Sequence, residues 1–175
     1  MPADAALGLL AALALNEVRA CVAGGWAVDA LLGEQTRSHA DLDLWVPAVD
    51  AEGLFSTFAE EGIDRIHPWP GDRPWNFVLH DGRTRRVDLH FYEHLDEDNL
   101  HYGSLADPFL FGRSDISGCG LIAGTALCCE TPSFALRCRT GYQPRDIDRH
   151  DVHAICTKFS LPLPAGYEQT HTPRG

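Results

Sequence analysis

Three aspartates and a histidine carry the strongest chemical signal in the chain. Asp41 and Asp43 alternate with apolar residues in the stretch DLDLWV. Residues two apart on a β-strand share a face, so the two carboxylates are expected to project together, with Leu42 and Leu44 on the other side. Carboxylates that close repel in a partly buried site, and a divalent cation relieves the repulsion. Hard oxygen donors suit Mg²⁺, which takes one or two carboxylates and fills its shell with substrate phosphates and water. Asp88, between the apolar Val87 and Leu89, is a third candidate from a second strand, and His90 shares its face. Upstream, Gly24 and Gly25 follow an apolar strand and precede a helix, where backbone N–H groups can cradle a phosphate. Arg37 and His39 precede Asp41 at the same spacing of two and add donors for a triphosphate. An acid–apolar alternation alone also describes an ordinary exposed strand, and a glycine pair alone is most often a turn. Together they read as a nucleotide–Mg²⁺ site, and none of them names an acceptor.

These residues need a scaffold. Apolar spacing predicts a helix over residues 7–20, a short strand in CVAGG, and helical turns in WAVDALLG with Gly33 as C-cap. DLDLWVP reads as a strand stopped by Pro47, followed by a helix over residues 48–61 closed by Gly62. WNFVLHDGRTRRVDLHFY reads as a hairpin around Asp81-Gly82, a dipeptide favoured in tight turns. Residues 94–118 are polar, acidic and Gly-rich and read mostly as loop, and GLIAGTALCCE as a strand pair or one bent strand. TPSFALRCRTG starts a helix with Thr131 as N-cap and Pro132 at the first position, closed by Gly141. PRDIDRHDVHAICTKFS is a last helix with Ile147, Val152, Ile155 and Phe159 on its apolar face and Asp146, Asp148 and Asp151 on a solvated one. The tail from Leu161, with three prolines, is irregular. The expected class is α/β of α+β type: a small mixed sheet flanked by helices, then a helical C-terminal part, all in one domain over residues 1–175.

The bulk numbers bound the partners. A net charge of −11 argues against a nucleic-acid backbone as the main partner and suits metal ions and cationic small molecules. The apolar run near the start is too short to span a membrane and lacks a basic leader, so no membrane partner is expected. The six cysteines show no C-x-x-C pair and read as small core residues of a cytoplasmic protein with reduced thiols.

The stretch GGWAVDALLG…TRSHADLDL resembles the G-G…D-x-D signature of the polymerase-β-like nucleotidyltransferase superfamily. More narrowly it is similar to the small antibiotic nucleotidyltransferases, with the lincosamide enzymes nearest and the aminoglycoside 2″-enzymes further off. DGRTRRVDLHFY resembles that group's third-carboxylate strand, and RTGYQPRDIDRHDVHAIC its C-terminal segment. The resemblance implies a nucleotidyltransferase core over residues 1–93 and an acceptor side over residues 94–175. It also implies an enzyme that binds an NTP, ATP by expectation, with Mg²⁺ and transfers the nucleoside monophosphate to a hydroxyl, with loss of pyrophosphate. The acceptor would be a lincosamide, with an aminoglycoside or a protein hydroxyl as alternatives and a non-catalytic nucleotide-binding module as a remoter one. Asp41, Asp43 and Asp88 would hold metal, and Gly24, Gly25, Arg37 and His39 the triphosphate. Either Asp88 or His90, which stands where the group often has an acid, would take the acceptor proton. Trp75, Tyr92, Glu93 and Tyr142 are the acceptor-pocket candidates, and Arg145 another nucleotide contact. The expected state is monomer or homodimer.

Overall fold

The computed structural model describes residues 1–68 and 71–168. Helix α1 (Ala3–Leu15) opens the chain. Strand β1 (Cys21–Ala23) runs into helix α2 (Gly24–Leu32), and β2 (Leu42–Pro47) leads through a 3₁₀ turn to α3 (Ala51–Glu60). Strands β3 (Arg65–His67), β4 (Asn76–His80), β5 (Arg86–His94), β6 (Asn99–Ser104) and β7 (Asp107–Gly112) follow. Strands β8 (Gly118–Ile122) and β9 (Thr125–Cys129) lead to helices α4 (Pro132–Arg137) and α5 (Asp146–Phe159).

The sheet order is β3-β4-β5-β2-β1-β9-β8, with the β6–β7 hairpin attached to the far end of β5. The sheet is mixed: β2 runs parallel to β5 and β1 parallel to β9, while the other pairs are antiparallel. One face carries Leu42, Leu44 and Val46 from β2 and Val87 and Leu89 from β5, all fully buried. Against it pack Leu9 and Leu13 of α1, Trp26 of α2, Leu54 and Phe58 of α3, and Val152 and Ile155 of α5. Each such leucine contributes roughly 1.5–3 kcal/mol over its exposed state. The opposite face carries a second, aromatic core of Trp45, Tyr92, Phe111 and Phe134, roofed by the β6–β7 hairpin and α4. Asp43, Asp88 and His90 lie on this second face.

Several boundaries differ from the sequence reading. Helix α1 stops at Leu15 because Glu17 takes a left-handed φ of 59° and Val18 N–H returns to Leu13 O. The hairpin turn spans residues 81–85 rather than Asp81-Gly82 alone: the Asp81 carboxylate accepts from Arg83 N–H and Arg85 N–H and shapes a wider loop. Residues 94–118 are not mostly loop, since they hold the β6–β7 hairpin and a 3₁₀ turn. Their apolar residues, Leu100 and Phe111, pair in register and close the aromatic core. GLIAGTALCCE is a hairpin, with Ala123 and Gly124 both at positive φ in its two-residue turn. Helix α4 has the expected Thr131 cap but ends at Arg137, before Gly141. In α5, Ile147 and Phe159 are exposed, and two of the acids assigned to a solvated face, Asp148 and Asp151, are buried at 3% and 2% exposure. Cys119 and Cys128 are exposed rather than core residues. Of the tail prolines, Pro173 lies outside the described residues. Among the described residues no helix is long and apolar enough to cross a membrane.

Candidate active site

Register builds the site. On adjacent parallel strands, Asp43 of β2 stands beside Asp88 of β5, and Trp45 beside His90. Ala23 of β1 flanks Asp43 on the other side. One donor atom each from Asp43, Asp88 and His90 lies within 4.8 Å of the other two. Asn76 of β4 faces His90 across the antiparallel pair, and its amide donates to Asp88 Oδ1 at 2.8 Å and to Leu89 O at 3.0 Å.

The charges respond to this crowding. Burial raises the Asp88 pKa to about 6, with the Asp43 and Asp41 carboxylates adding to it and His90 and the Asn76 amide holding it back. For His90, burial pulls the pKa down but the carboxylates of Asp43 and Asp88 outweigh it, so the net direction is up. Asp41 is raised by burial and by Asp43, and relieved by Arg86 and the N-terminal ammonium. Asp41 itself lies one residue before β2, so the strand alternation places Asp43 alone, and Asp41 is outside the three-donor group.

The glycine pair meets the carboxylates directly. Gly24 opens α2 with φ +59°, and a Cβ there would stand 2.1 Å from Asp43 Oδ2. Ala23 at the N-cap brings no side-chain acceptor to the helix start. The first N–H groups of α2 therefore lack a capping side chain beside Asp43, an arrangement suited to an anion.

Arg37 and His39 both have carboxylate partners within the fold. His39 is buried, with Nε2 2.5 Å from Asp29 Oδ2 and Nδ1 3.0 Å from Arg37 Nη1. Arginine only donates, so Nδ1 accepts and Nε2–H points to Asp29. Arg37 forks onto Asp151 of α5, Nε and Nη2 each at 2.8 Å. Arg139 also reaches Asp151 at 3.3 Å and donates to Gly24 O at 2.9 Å. Arg37 and His39 therefore brace the Gly24–Gly25 turn from inside: a Cβ on Gly25 would meet Arg37 Nη2 at 2.3 Å and His39 Nδ1 at 2.6 Å.

The proposed acceptor residues scatter. Trp75 packs on the helix-face core, away from the carboxylates, because the face it joins is that of Phe77 and Leu89. Tyr92 shares the His90 face but is buried in the aromatic core near Arg19 and Asp50. Glu93 is exposed on β5 opposite His101, and Tyr142 is exposed beside the start of α5, close to Asp148 and Arg145. Arg145 forks onto Asp148 at the start of α5. The β6–β7 hairpin brings Tyr102 to the carboxylates, with its Oη 3.2 Å from His90 Nδ1 and its ring edge-on to Trp45.

Sequence reasoning also missed Asp29, Asn76, Tyr102, Glu130 and Arg139. Asp29 carried a signal, since a lone acid inside WAVDALL must either break the helix face or find a buried partner. Glu130 accepts from Trp45 Nε1 at 2.7 Å, and burial raises its pKa against the pull of Arg139 and Trp45.

The mixed sheet sets two aspartates side by side at an uncapped helix start, and the fold is that of the nucleotidyltransferases. A sequence model of the aminoglycoside-2″-adenylyltransferase family matches residues 6–155, and the chain belongs to that family. No curated protein is matched by the chain. Among solved structures it is similar to the lincosamide antibiotic adenylyltransferase LnuA in its lincomycin-bound form, with TM-score 0.73 and 20% identity over 89% of this chain and 95% of that one. It is similar to ANT(2″)-Ia in complex with adenylyl-2″-tobramycin, with TM-score 0.68 and 21% identity over 90% and 88% of the two chains. A solution structure of ANT(2″)-Ia gives TM-score 0.67 and 21% identity over 90% and 83%. At these identities the structures speak for the fold, and the family match for antibiotic adenylyl transfer as the class of activity.

Proposed function

We propose that the protein transfers the adenylyl group of ATP to a hydroxyl of a lincosamide-type antibiotic, using a divalent cation held at Asp43 and Asp88. The observation that supports this most strongly is the meeting of Asp43, Asp88 and the uncapped start of α2 at Gly24. The triphosphate would lie against the N–H groups of Gly24 and Gly25, with Asp41 near enough to share the cation's field. The cation, when bound, would neutralise phosphate charge and align the leaving and attacking oxygens. The donor set fits such an ion, since carboxylate oxygens from two strands face one gap. The Asp88 carboxylate, which faces the same gap, would take the acceptor's hydroxyl proton as it attacks the α-phosphorus.

The acceptor assignment rests on the wall beside the carboxylates. Tyr102 and Phe109 are part-exposed there, and behind them stand Trp45, Phe111 and Phe134. An aromatic wall next to a few acids suits an amphipathic acceptor with a single amine. An aminoglycoside is the second reading, favoured by the family description and by the acidic strip of Glu93, Asp96, Glu97 and Asp98 at the hairpin. Incubation with ATP, a divalent cation and either lincomycin or tobramycin, followed by mass spectrometry, separates the two. A lincomycin adduct one adenylyl group heavier is the expected result, and a tobramycin adduct alone favours the second reading.

A further inference from the structure

We infer that His90 is itself a metal ligand through Nε2, and that the site consequently takes a transition-metal dication, Mn²⁺, in preference to Mg²⁺. This deepens the metal-dependent reading above and rests on it. His90 Nε2 lies 4.0 Å from Asp43 Oδ1 and 3.9 Å from Asp88 Oδ1. Both separations are too long for hydrogen bonds. The imidazole nitrogen thus faces two carboxylates at ion-pair rather than hydrogen-bond distance, and the three donors converge on a shared gap.

The ring is held from behind. It packs on Trp45 with centroids 4.9 Å apart. Its Nδ1 lies 3.2 Å from Tyr102 Oη and 3.2 Å from Asn76 Nδ2. The two amide hydrogens of Asn76 are directed to Asp88 Oδ1 and Leu89 O at shorter range, so Nδ1 is left to the Tyr102 hydroxyl, which accepts when Nδ1 carries the proton. That tautomer frees the Nε2 lone pair on the carboxylate side. A metal-binding histidine ordinarily has its other nitrogen fixed in this way. Asn76 serves the same end for Asp88, by fixing one of its oxygens.

The metal preference follows from the donor atoms. Mg²⁺ is hard, favours oxygen and dehydrates reluctantly. Imidazole suits first-row transition ions, and Mn²⁺ accepts carboxylate oxygen as well. One nitrogen with two carboxylates therefore favours Mn²⁺ over Mg²⁺ more strongly than three carboxylates would.

The test is spectroscopic. Metal-free protein is loaded with Mn²⁺, and electron spin-echo modulation reads whether ¹⁴N lies within bonding distance of the ion. Nitrogen coupling is expected in the wild type and its loss in His90→Asp. Competition between the two ions should show the Mn²⁺-over-Mg²⁺ affinity ratio falling by about tenfold or more in that variant. A wild-type Mn²⁺ complex without nitrogen coupling overturns the inference and leaves the metal-dependent transferase reading standing. So does an unchanged ratio in His90→Asp. Failure of both ions to bind, with and without ATP, overturns the two together.

Discussion

The backbone of Gly24 is packed directly on the carboxylate of Asp43, with room for no side chain between them. The helix start proposed to cradle phosphate and the acid proposed to hold metal are thus a single unit, and Gly24 sits at a φ of +59° that also favours glycine. Gly24→Ala should lower kcat/KM about 100-fold or more, because a displaced Asp43 misaligns the reacting groups. Steady-state kinetics alongside circular dichroism check this: a folded variant with full activity would show that the contact is not needed.

Asp151 is the hub of the buried ion network under that turn. It holds Arg37 and Arg139, and Arg139 holds Gly24 O. Removing the carboxylate leaves two guanidiniums without their partner, which costs about 3–5 kcal/mol. Asp151→Ala should therefore lower Tm by roughly 6–20 °C. Calorimetry reads this directly, and a shift of only a degree or two would show that the network adds little to stability.

Asp88 gives a pH signature in metal-free protein. Its folded pKa, raised to about 6, lies above the ordinary carboxylate value. The folded state therefore binds the proton more tightly than the unfolded chain, and stability falls as pH rises from about 4 to about 6. Asp88→Asn removes the ionising group. With chelator present, the variant should be more stable than wild type at pH 7–8, with the advantage fading toward pH 4, while activity is lost. Thermal melts across that range decide it, and a variant less stable at pH 8 contradicts the assigned direction.

Glu130 allows two variants to be compared. It is buried, its pKa is raised by that burial, and Oε2 has no hydrogen-bond partner among the described residues. Glu130→Gln keeps an acceptor for Trp45 Nε1 and should leave stability nearly unchanged. Glu130→Ala strands the indole N–H and should cost about 1–3 kcal/mol. Denaturant unfolding followed by tryptophan emission compares the two, and equal losses would mean that the Trp45 hydrogen bond carries no weight.

Much of the donor half was legible in the sequence because its signals are local. Strand alternation put Asp43 and Asp88 on faces opposite the leucines, and a glycine pair between a strand and a helix marked the turn. Gly33 ends α2 and Thr131 starts α4 by rules that operate within a few residues. What stayed hidden depends on long-range pairing. Nothing in RSH or DRHDV announces that Arg37 meets Asp151 across the fold, so the ion pair stayed hidden and Asp151 read as part of an exposed face. The β6–β7 hairpin was missed because its acidic, Gly-containing composition resembles a loop. Its strands are held by backbone pairing and by Leu100 and Phe111 closing over Trp45. Tyr102 and Asn76 reach His90 only through sheet register, which no spacing within one strand reveals.

The most direct test of the account is adenylyl transfer by Asp43→Asn. Wild-type protein, ATP, a divalent cation and lincomycin should yield an antibiotic one adenylyl group heavier, with release of pyrophosphate. The variant should fold and melt cooperatively yet turn over slower by at least about 100-fold, since one metal-side carboxylate is gone. Turnover by Asp43→Asn at the wild-type rate would contradict the assignment of this site, and no adduct with any lincosamide or aminoglycoside would contradict the proposed reaction.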